Sequence, residues 1–182
     1  MKIKELEIYC FNLSKQIDFY AQKLGLELIE QSNLHVTFQV GNSRLKFVQN
    51  EKFQPYHFAI NIPCNQENEA LKWLQERVEI LKDGNNEIQD FDFWNAKAIY
   101  FYDIDKNIVE LIARKNLLNQ STKMFTTNAL LEISEIGVPV NNIESTYNNL
   151  KEIVGLKIFD GGFERFCAIG DENGLFIGLK NS

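Results

Sequence analysis

The side chains best placed to do chemistry are an imidazole that opens one apolar strand-like run, His57-Phe58-Ala59-Ile60-Asn61-Ile62, and a carboxylate inside another, Ile108-Val109-Glu110-Leu111-Ile112. Imidazole nitrogen and carboxylate oxygen suit a first-row divalent ion, which acts as a Lewis acid on bound oxygens. The same groups can instead line a metal-free pocket or form a buried ion-pair cluster. The second histidine, His35, starts a strand with no His or Cys beside it, and a surface or hairpin role is expected. Asp103-Ile104-Asp105-Lys106-Asn107 opens like a calcium loop but lacks the glycine and later acidic ligands, so it is expected to be a hairpin turn. The absence of a Gly-x-Ser-x-Gly elbow, phosphate loop or dinucleotide fingerprint argues against serine hydrolase, nucleotide hydrolase and nicotinamide chemistry.

The elements that must hold these groups recur in three copies of one order, strand, helix and three strands. The first copy has a strand at Lys4 to Phe11, a helix at Ser14 to Leu24 ended by Gly25, and strands near Leu26 to Glu30, His35 to Val40 and Arg44 to Gln49. The second has a strand at His57 to Ile62, a helix around Glu67 to Val78, and strands near Glu87 to Asp90, Ala98 to Tyr102 and Ile108 to Arg114. After a polar linker, the third has a strand at Leu131 to Val138, a helix from Ile143 to Val154 stopped by Gly155, and three further strands up to Leu179. The division is module one 1–52, module two 53–115, linker 116–127 and module three 128–182.

The chain has 182 residues, 45% of them apolar, enough to bury a substantial core. A net charge of −6 with no basic stripe argues against nucleic acid as a partner. Charges at Lys2, Lys4 and Glu5 break any leader-like apolar segment, and no run approaches the roughly 18 residues of a membrane span, so a cytoplasmic protein is expected. Cys10, Cys64 and Cys167 have no Cys-x-x-Cys spacing and are expected as buried free thiols.

Asn12-Leu13, Ile17-Asp18-Phe19-Tyr20 and Gly25, then His57-Phe58-Ala59-Ile60, then Ala98-Ile99-Tyr100-Phe101-Tyr102-Asp103-x-Asp105-x-Asn107-x2-Glu110 resemble the signatures of the vicinal oxygen chelate superfamily of glyoxalases, bleomycin-resistance proteins and extradiol dioxygenases. The resemblance implies an α+β fold of tandem β-α-β-β-β modules, with modules one and two curled into an open barrel and a shorter third module beside them. It also implies a divalent metal, Zn, Mn, Ni or Fe, held from the first and last strands of each paired module.

Those family positions fall on Glu5, Lys46, His57 and Glu110. The implied ligands are Glu5, His57 and Glu110, with Glu110 also catalytic, and Glu7 replaces Glu5 if the strand slips by two residues. Lys46 departs from the family pattern. An ammonium there repels a dication, and it would either satisfy Glu5 and Glu110 without a metal or bind an anionic substrate. Tyr9 shares a strand face with Glu5, and Trp94, in the Asp92 to Lys97 stretch of the family's pocket rim, would stack on a substrate or pack.

The resemblance implies a metal-dependent lyase, isomerase or ring-cleaving dioxygenase acting on a small oxygen-chelating molecule; the alternative is a metal-free protein that sequesters a drug or metabolite. Module three has Ile133 and Phe176 at the corresponding positions and is expected to be structural. Its uncovered sheet face predicts a homodimer formed through module three.

Overall fold

The computed structural model describes residues 1–181. Module one contains β1 (Glu5–Cys10), α1 (Leu13–Ile17), β2 (Glu27–Gln31), β3 (His35–Val40) and β4 (Ser43–Gln49). Asn12 caps α1, its side chain accepting from Lys15 N, and a π-helical segment Asp18–Lys23 continues it. Gly25 then turns the chain in the left-handed region, at φ 74°. The strands form their own sheet in the order β1-β4-β3-β2, with β1 parallel to β4.

Module two contains β5 (His57–Ile62), α2 (Glu67–Gln75), β6 (Ile80–Leu81), β7 (Gln89–Phe91), β8 (Ala96–Tyr102) and β9 (Ile108–Arg114). Module three contains β10 (Glu132–Val140), α3 (Ile143–Val154), β11 (Ile158–Gly161), β12 (Phe166–Asp171) and β13 (Gly174–Lys180). Asn142 caps α3 by accepting from Ser145 N, and Gly155 ends it at φ 68°. Modules two and three share a sheet in the order β11-β12-β13-β10-β5-β9-β8-β6, with β7 also on β8. The join is antiparallel, first strand to first strand, with Ala59 opposite Glu135 and His57 opposite Gly137.

The sheet shared across modules therefore joins two and three, whereas the family resemblance implies a barrel of one and two. The reason lies in the two faces of β5. Phe58, Ile60 and Ile62 face a hydrophobic core shared with Ile8, Tyr20, Phe38 and Phe47 of module one and Trp73 and Leu74 of α2. Phe19 stacks on Phe101 at 6.4 Å across this contact. With its apolar face spent on module one, module two has its His57 and Ala59 face left to meet module three. The linker is anchored too, since Phe125 packs edge-on against Trp73 at 5.7 Å.

Two expected turn and surface features are present. Asp103 Oδ1 accepts from the amides of Asp105 and Asn107, both at 2.9 Å, closing the hairpin between β8 and β9. Lys106 sits there at φ 67°, in the left-handed region that costs a non-glycine residue about 1 kcal/mol. His35 bonds to Ser32 and Glu30 at the β2–β3 hairpin. All three cysteines are buried and free.

The β3–β4 hairpin docks module one against the start of β10. Gly41 has φ +52°, and a Cβ there would lie 1.9 Å from the Leu131 carbonyl oxygen. Gly84 has a similar φ, +59°, with open space around it. Gly41→Ala is therefore expected to cost clearly more than about 1 kcal/mol and Gly84→Ala only about 1 kcal/mol, as read from urea denaturation midpoints.

Candidate functional site

A cavity of about 500 Å³ opens on the face of the shared sheet opposite the module-one core, lined from module two by His57, Phe91, Trp94, Tyr100 and Glu110 and from module three by Glu135, Phe166 and Ile177. Alternation along β9 sends Glu110 and Ile112 toward this cup and carries Arg114 onto the same face. His57 Nε2 lies 3.0 Å from Glu110 Oε2. Glu110 is buried, with its carboxylate against an imidazole rather than a fixed cation.

Glu135 arrives from the partner module in the place His57 holds in its own. Glu110 pairs with Ala59 in parallel register, two residues beyond His57, while Ile177 pairs with Gly137, two residues beyond Glu135. Ile177 is thus the module-three counterpart of Glu110, and the four first-strand and last-strand positions of the cup are His57, Glu110, Glu135 and Ile177. Ile133 and Phe176, expected at the module-three positions, lie elsewhere: Ile133 is buried in the main core and Phe176 packs on the α3 side. A register shift between Ile133 and Glu135 inserts one residue into β10 and turns Glu135 toward the cup.

The guanidinium of Arg114, fully buried, donates to Glu135 and lies 3.4 Å from Glu172. Its face meets the Trp94 ring at 5.4 Å. Burial first, then the Glu110 charge, raises the Glu135 carboxyl above the usual carboxylate range against the pull of Arg114. Burial and the same Glu110 charge raise the Tyr100 hydroxyl.

The other expected site residues lie elsewhere. Glu5, Glu7 and Tyr9 project from β1 on the exposed face of module one, where Lys46 Nζ reaches Glu7 Oε2 at 2.8 Å. Glu5, Lys46 and Tyr9 are not brought to His57 and Glu110, because module one meets module two through their apolar faces and its polar face points away. Trp94 does line the cup. It packs on Phe159 at 5.3 Å and donates from Nε1 to Asp160 at 2.6 Å, linking the two modules.

A model of the Glyoxalase/Bleomycin resistance protein/Dioxygenase superfamily matches residues 2–111. The chain belongs to that superfamily. It is 31% identical over 108 residues to the metallothiol transferase FosB of Staphylococcus haemolyticus, covering 55% of this chain and 74% of that protein. FosB of Staphylococcus epidermidis is 30% identical over the same length. Among solved structures, a putative dioxygenase from Bacillus subtilis superposes over 98% of this chain with a TM-score of 0.72 at 16% identity. This chain spans 63% of that protein's length. A glyoxalase I mutant from Zea mays superposes over 99% of this chain and 67% of its own, with a TM-score of 0.65 at 14% identity.

Divalent metals are typical of the superfamily, and the cup is the place where one would be held. Its donor types suit one, an imidazole and two carboxylates. Their arrangement does not, because Glu135 is committed to Arg114. Among the described residues no three His, Cys, Asp or Glu side chains converge closely enough to hold a metal ion.

Removing only the cation would strand Glu135 and Glu172 against the buried floor. Arg114→Leu is expected to cost about 3–5 kcal/mol in denaturant-derived stability, and a second change, Glu135→Gln, to restore part of that loss.

Proposed function

We propose that this superfamily member uses the cup between modules two and three to bind a small organic molecule without a resident metal ion. The observation that carries this reading is the fully buried Arg114 at the floor, which takes up Glu135, the carboxylate that would otherwise be the third metal donor. Size and lining agree with it: about 500 Å³ walled by Phe91, Trp94, Tyr100, Phe166 and Ile177 suits a ligand of one or two fused rings. The His57–Glu110 pair offers a hydrogen-bonding imidazole at one end of that space.

A second reading keeps the enzyme chemistry of the relatives, a metal-dependent lyase, isomerase, ring-cleaving dioxygenase or thiol transferase. It is favoured by one specific observation, that Glu135 is the positional counterpart of His57. In that reading His57, Glu110 and Glu135 would be the ligands, with Glu135 in place of Glu5 and with Arg114 displaced. Elemental analysis separates the two. After incubation with Zn, Mn, Ni or Fe and desalting, the protein is expected to retain no stoichiometric metal. Near-stoichiometric retention that disappears in Glu110→Ala would establish the second reading instead.

A homodimer is proposed through module one and not, as the sequence predicts, through module three, because module three already shares its sheet with module two. The polar face of module one carries Glu7, Lys46 and Glu30 on neighbouring strands, above the buried Thr37 and flanked by the half-exposed Tyr9. A second copy brought up to this face would pair those mixed charges. Light scattering at high micromolar concentration is expected to give twice the 21.1 kDa chain mass, falling toward one chain in high salt. A single-chain mass at low salt would remove the proposal. Among the described residues no helix is long and apolar enough to cross a membrane. The three free thiols suit a reducing, cytoplasmic setting.

A further inference from the structure

The cup combines aromatic walls with more carboxylates than cations. Phe91 and Trp94 lie 6.2 Å apart in module two, and Trp94 and Phe166 stack across the module boundary at 6.4 Å. Phe93, at the same mouth, is fully exposed, an unusual position for a phenyl group that packs on nothing in its own chain. Around these rings lie Asp90, Asp92 and Asp160 at the rim and Glu110 and Glu135 at the floor.

Cations do not match them in number. Arg114 is taken by Glu135 and Glu172, and Lys97 stands 3.5 Å from Asp90. Among the described residues Asp92 and Asp160 have no ion-pair partner, and Asp160 accepts only from Trp94 Nε1 and the Gly161 amide. Glu110 meets an imidazole. The lining is therefore electronegative and faced with π-systems, and both features attract an organic cation while repelling an anion.

We infer that the ligand of this cup is an aromatic or polycyclic organic cation, an ammonium or amidinium carried on a flat apolar body. The ring system would lie among Phe91, Trp94 and Phe166, with Phe93 folding over it from the mouth. The cationic group would be directed to Asp92 and Asp160 or, for a deeper pose, to Glu110. This rests on the reading of the cup as a small-molecule site and adds the charge and shape of what enters it.

The test uses the full chain and three probes of nearly equal shape, naphthylmethylammonium, naphthylmethanol and naphthylacetate, followed by calorimetry and by tryptophan fluorescence. The ammonium is expected to bind at least about tenfold more tightly than the alcohol, with the carboxylate weakest. The preference should shrink in high salt and in the double variant Asp92→Asn with Asp160→Asn. Circular dichroism and the thermal midpoint of that variant check that it remains folded. Equal binding of all three probes, or preference for the carboxylate, would overturn the inference and leave the small-molecule reading standing. No binding of any probe would overturn both.

Discussion

The antiparallel pairing of β5 with β10 is the constraint on which the site depends. It makes one sheet of two modules, and it brings His57, Glu110 and Tyr100 of module two to the same cavity as Glu135, Phe166 and Ile177 of module three. Without that join β5 and β10 would be unpaired sheet edges and the cup would lose one of its walls. The single-residue irregularity beside Ile133 then sets the chemistry. It leaves Ile133 in the core and swings Glu135 onto the cup face, where a buried guanidinium meets it.

Module one contributes to the cup only indirectly. By packing its apolar face on Phe58, Ile60 and α2, it determines which side of β5 is free to form the site. The same contact explains why the matched half of the family pattern does not assemble its own centre within one chain. Glu5, Glu7, Lys46 and Tyr9 share a face, as the alternation in β1 and β4 requires, but that face lies away from His57. In this chain the Lys46 ammonium answers Glu7, while Glu135 of the cup is answered by Arg114.

Much of the fold was legible in the sequence. Periodicity, Gly25 and Gly155 as helix stops and the Asp103 to Asn107 turn gave the mixed α+β order of strands and helices, and the turn formed even with Lys106 in the left-handed region. His57 and Glu110 were legible because an imidazole and a carboxylate inside apolar strands stand out, and Trp94 because it precedes β8. The choice of which modules pair was not legible, since each module has one apolar and one mixed face and the pattern does not say which neighbour takes which. Glu135 was hidden by the bulge, although Glu132 and Glu135 lie three apart where strict alternation would separate them by two. Arg114 had a visible signal in its spacing of four from Glu110, which places both on one strand face.

The most direct test of this account is the strand register across the module boundary, read from cross-strand nuclear Overhauser effects in the isotope-labelled chain. Antiparallel pairing of β5 with β10 predicts backbone contacts between Ala59 and Glu135 and between Phe58 and Ile136, with Ile133 opposite Ile60. Contacts from β5 to β1 in place of these, joining Glu5 or Glu7 to the His57 strand, would contradict it and return the site to modules one and two.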